Sequence, residues 1–589
     1  MSNQPTIIKM YPEFDRYGQP VYKHPAYHKD DNIIVRYMQF PEKVVPIVFL
    51  PGVMGSNLKN SDKKPVWNLS SNAGLLKKWL FKSAESRKNL LSPTSTQVDS
   101  SGDVDDDNKE DAIFKGNSKL FGTRTERGWG SVGYGSYYEF LDWLQTALHD
   151  FMDAEEGVSL RRELAGINLG AEFNEQALTY EEALHSYDYF FPVHAVGYNW
   201  LQSNKDSAKY VSEQVDSIIY HYQKRLGKKC HKVILVTHSM GGLVARHYTQ
   251  NLGGESKVLG VVHGVMPANG APAVYRRMKA GTEYTSLWNL PSFLSAKVLG
   301  GNAATMTAVL SQSPGPIQLL PGEAYGMNWL EIENGRYSYT LPKRDPYEEI
   351  YLNRDTWWGL CETPLINAEQ SKTQAALDKD WENYSKMMKK TVKSFIEGLN
   401  GQYHPLTYSF YGDSESYLSF GKVRWEDCTN FYHQGYLNNN DYLSDSLTKP
   451  TFTDEQVLAG KLHSRDEQHD LRTVSIPTDT REIKRDYKIT SPSSAGDGTV
   501  PLASGQIHTR YLQSRLAVQV EHEPAFNQKS DSPNSNLKAL NPDRALNVVH
   551  YDESASGYAS IDKRASLEEV SIARLFTLRA ILKLVQQLD

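Results

Sequence analysis

Short aliphatic runs and longer segments with helical spacing alternate along the chain. Residues 45–50 and 233–236 are unbroken runs, typical of strands that are buried on both faces. Residues 406–411 alternate between polar and apolar positions, which also predicts a strand. In residues 570–588 the apolar positions recur at steps of three and four, which predicts a closing helix packed on a sheet. Strands separated by helical segments indicate an α/β fold with a mostly parallel sheet.

The most informative segment is VILVTHSMGGLVARHYTQ, at residues 233–250. An aliphatic run, a turn that carries Ser239 and a helix follow one another, as in the nucleophile elbow of an α/β-hydrolase. Gly241 and Gly242 keep the helix side of the turn small, and the free N–H groups at a helix start favour an anion. The strict motif has glycine two residues before the serine, where this chain has Thr237. The competing interpretation is a helix entry at which Ser239 only caps the following turn.

A second glycine-bearing turn, PGVMGS at residues 51–56, follows the run at 45–50. In α/β-hydrolases such a turn donates one N–H to the oxyanion hole, and the residue after the nucleophile donates the other. The predicted donors are the backbone N–H groups of Val53 and Met240. A plain β-turn is the alternative interpretation.

The catalytic acid has two candidates. Asp497 lies between Gly496 and Gly498, which let the backbone bend so that the carboxylate can face an imidazole. An exposed Asp-Gly turn is the alternative interpretation of this site. Asp413 stands at the end of the strand predicted at residues 406–411, and strand geometry by itself favours Asp413.

The general base also has two candidates among the 17 histidines. His522 stands at the exit of a strand predicted from residue 515 onward, where the last strand of this fold presents its histidine. His550 follows another short apolar run. We expect His238 and His263 to be core or supporting groups. Ser239, Asp497 and His522 follow one another in the order found in α/β-hydrolases.

LPGVMGSNL, VTHSMGG and AGDGTVP resemble the oxyanion, nucleophile and acid motifs of lipases related to lecithin:cholesterol acyltransferase and the glycosylphosphatidylinositol deacylases, the PGAP1-like enzymes. Other segments resemble a bacterial branch that includes phospholipase effectors of type VI secretion systems. These segments are RGWGSVGYGSYYEFLDWL, FPVHAVGYNWLQSNKDSA, VVHGVMPANGAPAVYRRMKAG, SPGPIQLLP and EHEPAF. The resemblance covers most of residues 44–526 and the last helix. It implies Asp497 as the acid and His522, in EHEPAF, as the base. The chain departs from the pattern in a polar stretch that contains His550, which keeps this residue as the alternative base.

The candidate residues are spread over much of the chain. One hydrolase domain with insertions explains this spread better than several separate domains do. We predict an N-terminal extension at residues 1–43, a first core part at 44–275 with an insertion near 59–125, a helical cap at 276–400 and a second core part at 401–589. The second part carries insertions near 414–490 and 527–565, and we expect 414–490 to be irregular. Residues 380–398 have the pattern of an amphipathic helix that leads to the strand predicted at 406–411.

Apolar residues crowd positions 287–299 of the cap, a stretch that is punctuated by Pro291 and by the glycine pair at 300–301. A mobile lid over a lipase site has this character, and a helix packed on the core is the alternative.

Composition and charge narrow the function classes. Mean hydropathy is −0.54, and no apolar run approaches the roughly eighteen residues of a membrane-spanning helix. The net charge is −6 without a basic block, so nucleic-acid binding is not expected. Cys230, Cys361 and Cys428 are scattered, which indicates free thiols.

An acidic run at residues 99–111 could coordinate calcium. Counted from Asp103, however, the EF-hand positions six and twelve hold Asn108 and Phe114. A solvated loop is therefore favoured over a calcium site, and we predict no cofactor.

These features predict a serine lipase that works through an acyl-enzyme. The resemblance implies hydrolysis of glycerophospholipids in a membrane, with an immunity protein and a type VI spike or tube protein as partners. The first residues lack a basic-then-apolar signal, so we expect synthesis in the cytoplasm and type VI export into a target periplasm, with a cytoplasmic enzyme as the alternative. Alternative functions are a general carboxylesterase, a lipid-anchor deacylase and a non-catalytic α/β-hydrolase scaffold that binds a partner protein.

Overall fold

The computed structural model describes residues 6–10, 13–14, 20–23, 25–28, 32–37, 41–68, 79, 82–105, 122–150, 159–282, 300–335, 337–354, 356–367, 373–429, 452–467, 469–518 and 570–588. Four features named above fall outside these ranges. They are both candidate bases, His522 and His550, the insertion near 527–565, the apolar segment at 287–299, and residues 106–111 of the acidic run.

A parallel sheet lies at the centre of the described structure. Its six strands in chain order are β1 Ile47–Leu50, β2 Val193–Ala195, β3 Val233–His238, β4 Val258–Gly264, β5 Thr407–Gly412 and β6 Ser514–Val518. Their order across the sheet is β2-β1-β3-β4-β5-β6, and every neighbouring pair is parallel. All residues of β1 to β5 are buried, which explains the aliphatic runs. The predicted parallel sheet is confirmed.

Helices cover both faces of this sheet. The four that matter most are α1 Tyr134–Leu148, α2 Asn204–Tyr220, α3 Gly241–Asn251 and α4 Ile572–Val585. Ile47 and Phe49 of β1 share a core with α1 and α4, whereas Val48 and Leu50 share the other core with α2 and α3. This split follows from the alternation of side chains along a strand. The prediction that the last helix packs on the sheet is confirmed.

A second sheet, built from residues 330–489, joins the cap to the region predicted to be irregular. Its described strands, in spatial order, are Tyr337–Leu341, Leu330–Asn334, Val423–Asp427, Glu482–Ile489, Leu471–Pro477 and Lys461–Asp466.

The expectation of an irregular segment at 414–490 is therefore wrong, and the cap is not purely helical. The segment looked polar because some of its buried strand positions carry charges. An example is the ion pair of Arg485 with Asp427, 2.5 Å apart and almost fully buried. Hydrophobic patterning cannot detect a strand whose inward positions hold paired charges.

The amphipathic helix predicted at 380–398 is present and begins earlier, at Gln374. It runs as Gln374–Met387, a wider turn at Met388–Lys393, and Ser394–Leu399. Thr373 accounts for the earlier start because its side chain accepts the N–H of Ala376 as an N-cap.

Shorter elements complete the described structure. The other α-helices are Ala84–Leu90, Leu160–Glu163, Tyr180–His185, Ala273–Ala280, Ala303–Leu310, Pro314–Ile317, Thr363–Ile366, Asp454–Leu458 and Leu502–Gly505. Short 3₁₀ or π-helical segments lie at Trp129–Ser131, Ser186–Asp188, His221–Arg225, Gly254–Ser256, Glu323–Tyr325, Tyr347–Tyr351 and Thr509–Tyr511. The other strands are Thr6–Met10, Glu13–Phe14, Pro20–Val21, Ile33–Tyr37, Lys43–Val44, Leu58–Asn60, Pro65–Trp67, Thr96–Val98, Tyr189–Phe190, Ser414–Ser419 and Ser494–Gly496. None of the helices described here is long and apolar enough to span a bilayer. The three cysteines are buried free thiols, as predicted.

Candidate active site

Ser239 occupies the sharp turn between β3 and α3. Its φ of 51° lies in the left-handed region, which a residue other than glycine or asparagine rarely adopts. Two backbone hydrogen bonds hold the turn: Ser239 N–H donates to the Gly264 carbonyl at 2.9 Å, and Gly242 N–H donates to the Ser239 carbonyl at 3.0 Å. The Ser239 side chain does not cap α3, because Met240 is the N-cap residue and makes no side-chain cap bond. The interpretation of Ser239 as a helix cap is therefore wrong.

Both glycines after the serine are required by close packing. A Cβ at Gly241 would lie 2.6 Å from the carbonyl oxygens of Leu50 and Pro51, and one at Gly242 would overlap Met266. The start of α3 therefore fits directly against the end of β1, and this contact brings the elbow next to the loop at residues 51–56.

Thr237 stands where the strict motif has its first glycine, and its hydroxyl has a partner in the core. Thr237 is fully buried, and its Oγ1 lies 2.8 Å from Nδ1 of His263 on the neighbouring strand β4. Burial lowers the pKa of His263 to about 3, with a smaller contribution from Arg246. His263 is therefore neutral at pH 7 and supports the elbow from inside the core, as the sequence predicts.

The loop at residues 51–56 forms a tight turn against the nucleophile. Gly55 N–H donates to the Gly52 carbonyl at 3.1 Å, and Met54 has a φ of 65°. A Cβ at Gly52 would lie 2.9 Å from Nδ1 of His238 and 3.1 Å from Cβ of Ser239. Within the described chain, the N–H groups of Val53 and Met240 donate to no other group. Two unused donors beside a serine are the arrangement that an oxyanion hole needs.

Two tyrosines that no catalytic motif includes hold this loop in place. The Tyr137 hydroxyl on α1 accepts the N–H of Gly52 at 3.0 Å and lies 2.9 Å from Nδ1 of His238. The Tyr198 hydroxyl donates to the Pro51 carbonyl at 2.7 Å. Both residues lie in segments that carry the family resemblance, which is the signal that could have singled them out.

Asp497 lies at the carboxyl end of β5, although the chain reaches it only after the second sheet. It is fully buried, and its Oδ1 accepts the N–H groups of Thr499 at 3.0 Å and Val500 at 2.7 Å. A Cβ at Gly412, the last residue of β5, would overlap Cβ of Asp497. The interpretation of Asp497 as part of an exposed turn is therefore wrong.

Asp413 directly follows β5 and lies at the same sheet edge. Its N–H donates to the Val518 carbonyl at 2.8 Å, which places Asp413 between β5 and β6. Burial raises the pKa of Asp413, and the nearby carboxylates of Glu172 and Glu415 raise it further. Its surroundings therefore favour the protonated form more than those of an ordinary surface aspartate do.

The sheet brings the serine and both acids to one edge. Strands β3, β4 and β5 are neighbours with parallel register, and adjacent strands are about 4.8 Å apart. The ends of β3 and β5 are thus about 10 Å apart, a gap that a side chain from a neighbouring loop can bridge. Strand β6 ends at Val518, opposite Gly412, so the chain enters the segment that contains His522 from this same edge.

Among the described residues, neither a metal site nor the cavity beside α3 belongs to this candidate site. Among the described residues, no group of three or more His, Cys, Asp or Glu side chains could hold a metal ion. A cavity of about 250 Å³ opens between α3 and the cap, and Arg246 and Tyr403 are among its lining residues. Ser239 does not line this cavity, so we do not include it in the candidate site.

Comparisons with known proteins agree with this architecture. Residues 159–287, which contain the elbow, match the family model of the PGAP1-like alpha/beta domain. A chain of the crystal structure of the Tle4–Tli4 complex is similar with a TM-score of 0.66 and 26% sequence identity, over 92% of this chain and 99% of that chain. No curated protein matches the chain. The expected α/β-hydrolase fold and the resemblance to PGAP1-like enzymes are confirmed. The chain therefore has an α/β-hydrolase fold that contains a stretch similar to the PGAP1-like alpha/beta domain, and most of its length is similar to a chain of the Tle4–Tli4 complex.

Proposed function

We propose that the protein is a serine lipase that hydrolyses the carboxylic ester bonds of glycerophospholipids. One observation carries the proposal: Ser239 is held at a φ of 51° beside the unused N–H groups of Val53 and Met240, with Asp497 at the same sheet edge. A nucleophile, two oxyanion donors and an acid are three of the four parts of acyl-transfer chemistry.

The reaction starts with attack of Ser239 Oγ on the ester carbonyl while His522 accepts the hydroxyl proton. The N–H groups of Val53 and Met240 stabilise the tetrahedral oxyanion, each by about 3 kcal/mol. As the ester C–O bond breaks, the imidazolium returns the proton to the leaving lysophospholipid alcohol. Water then attacks the acyl-enzyme and releases the fatty acid. Asp497 orients the imidazole and stabilises its charged form.

The base and the acid each keep an alternative. His550 is the alternative base, and Asp413 is the alternative acid. The buried carboxylate of Asp497, fixed by two N–H donors, is the better-ordered partner for an imidazole. The lid predicted at residues 287–299 remains a prediction, as does hydrolysis rather than transfer to an alcohol.

The biological role is that of an antibacterial effector exported by a type VI secretion system. The motif resemblance supports this role, and so does the similarity to a chain of the Tle4–Tli4 complex. Because Tle4 is in complex with Tli4 in that structure, we propose that this chain also has a dedicated protein partner, an immunity protein. A spike or tube protein for delivery, and action in the periplasm of a target cell, follow from the same proposal.

Titration of the fatty acid released from phospholipid vesicles tests the proposal. The wild type should release fatty acid and Ser239→Ala should not. Ser311→Ala is the matched control, because Ser311 is also buried and its hydroxyl has no hydrogen-bond partner among the described residues. His522→Asn against His550→Asn then identifies the base, since loss of the base lowers kcat by several orders of magnitude.

Other outcomes identify other functions. Hydrolysis of short soluble esters alone would indicate a carboxylesterase, and release of acyl chains from a glycolipid anchor alone would indicate a lipid-anchor deacylase. An intact fold without hydrolysis of any ester would contradict the enzyme proposal and favour a scaffold that binds a partner protein.

A further inference from the structure

One buried hydroxyl connects the two halves of the candidate oxyanion hole. The Tyr137 side chain on α1 is 3% exposed. Its hydroxyl accepts the N–H of Gly52, the residue before Val53, and contacts Nδ1 of His238, the residue before Ser239. The same oxygen therefore bonds to the neighbours of the two residues that have proposed chemical roles.

We infer that Tyr137 is a positioning residue that holds the oxyanion loop and the nucleophile elbow at a fixed separation. This inference rests on the proposed function and adds to it a residue outside the catalytic motifs. The Tyr137 hydroxyl contacts the backbone of Gly52 and the ring of His238, and its effect on the reaction passes through these two residues.

The ring of His238 is engaged inside the fold. His238 is 3% exposed, and its Nδ1 lies 2.9 Å from the Tyr137 hydroxyl. This buried contact is a structural task different from that of a general base.

The atoms around this hydroxyl are closely packed. A Cβ at Gly55 would lie 2.6 Å from the Tyr137 hydroxyl, and one at Gly52 would lie 2.9 Å from Nδ1 of His238. The Tyr137 ring also packs against Phe49 of β1, with ring centroids 4.9 Å apart. Loss of the hydroxyl would leave the Gly52 N–H without its acceptor and His238 without this contact, so both backbones could move.

Such movement matters because an oxyanion donor works only within a narrow range of distances from the oxyanion. The donor must lie about 2.7–3.1 Å from the developing anion, and a misplacement of about 1 Å can reduce the rate by about a hundredfold. The Ser239 backbone is in a strained conformation that persists only when its surroundings hold it. A change in separation should therefore reduce transition-state stabilisation and leave substrate binding in place.

Labelling by a fluorophosphonate tests this inference without assuming the natural substrate. The Ser239 Oγ–P bond forms as the P–F bond breaks, fluoride leaves, and the hydroxyl proton passes to the general base. Tyr137→Phe should slow the labelling at least tenfold, and it should lower kcat on vesicles with little change in KM.

Tyr275→Phe is the matched control. Tyr275 is fully buried, its hydroxyl accepts the Trp425 Nε1–H at 3.0 Å, and it donates to the Trp358 carbonyl at 2.6 Å. Tyr275→Phe thus also loses two buried hydrogen bonds, away from the elbow, and it should label at the wild-type rate.

A second comparison covers the case in which Tyr137→Phe does not fold. His238→Asn keeps a side-chain hydrogen-bonding group near the position of Nδ1, whereas His238→Leu removes it. The asparagine variant should label at least several times faster than the leucine variant. Adding Tyr137→Phe to His238→Leu should slow labelling less than Tyr137→Phe slows it in the wild type, because the link between the loop and the elbow is already broken and only the Gly52 bond remains to be lost.

The results separate three claims: the positioning role of Tyr137, the phospholipid substrate and the nucleophile Ser239. Wild-type labelling of the folded Tyr137→Phe variant, or equal labelling of the two His238 variants, would overturn the positioning role. Labelling that depends on Ser239 without vesicle hydrolysis would reject the phospholipid substrate and still test Tyr137. No labelling of the wild type would overturn both the nucleophile and its positioning.

Discussion

Replacement of Glu362 by glutamine should lower the free energy of unfolding, because Glu362 holds a helix of the cap against the second sheet. The Glu362 carboxylate lies 2.9 Å from Lys279 Nζ, 2.9 Å from Arg465 Nε and 3.5 Å from Arg472 Nε. Lys279 belongs to the helix Ala273–Ala280, and the two arginines belong to strands of the second sheet. One buried carboxylate thus joins a helix and two strands through three cations.

The magnitude follows from the pKa of Glu362. Burial alone would raise this pKa, but Lys279, Arg472 and Arg465 outweigh burial and lower it from 4.5 to about 2. A carboxyl pKa that is lower in the folded state stabilises the fold above the unfolded value, and the stabilisation is lost as pH falls from about 4.5 to 2. The shift corresponds to about 3 kcal/mol at pH 7 and about 2 kcal/mol at pH 3.5.

A neutral glutamine would leave buried cations without their counter-charge, which costs about 3–5 kcal/mol in buried pairs. Burial lowers the pKa of Lys279, so Lys279 can lose its proton more easily than a surface lysine. We therefore expect the lower end of that range, about 3 kcal/mol.

Urea unfolding of the wild type and Glu362→Gln at pH 7 and pH 3.5 measures the effect. Glu382→Gln is the control, because Glu382 forms an exposed ion pair with Lys379 and should change stability little. Two results would refute the reasoning: a difference below 1 kcal/mol at pH 7, or a difference that does not shrink at pH 3.5.

Three further predictions concern the site. Gly52→Ala would place a methyl group against His238 and Ser239 and should lower kcat about a hundredfold or more. Gly398→Ala is the control, because Gly398 lies in a helix with nothing near its Cβ position. This variant should keep wild-type activity and gain up to about 1 kcal/mol of stability in urea unfolding. Asp497→Asn should lower kcat by about four orders of magnitude and Asp413→Asn by little; the reverse result would identify Asp413 as the acid. Thr237→Val removes a buried hydrogen bond and should cost about 1–3 kcal/mol in thermal unfolding; an unchanged Tm would contradict the supporting role of this hydroxyl.

The central sheet and the elbow were predictable because their signals are local. Strands buried on both faces require aliphatic runs, and the runs at β1 and β3 stand directly before the two turns that matter. Thr237 departs from the strict motif, and its hydroxyl contacts His263 on the neighbouring strand β4. A neighbour across a parallel sheet has no fixed distance in sequence, so the local pattern could not reveal this contact.

The second sheet and the position of Asp497 were not predictable for a related reason. Buried pairs such as Arg485 with Asp427 give strands a polar appearance. The loop that carries Asp497 reaches β5 through backbone pairing between Ser494–Gly496 and Ser414–Ser419, which no periodicity encodes. Strand geometry therefore favoured Asp413, the residue next to β5 in sequence, although Asp497 is the fully buried carboxylate.

Glycine marks the places where distant segments meet at this site. At Gly52 a Cβ would press on Ser239, at Gly241 it would press on the end of β1, and at Gly412 it would overlap Asp497. Each of these glycines lies at or just beyond the carboxyl end of a strand, where a parallel sheet gathers loops from separate parts of the chain. Small residues at these joints let the oxyanion loop, the elbow and the acid loop approach one another closely. Tyr137 then supplies the side-chain hydroxyl that glycines lack, so close approach and fixed orientation come from different residues.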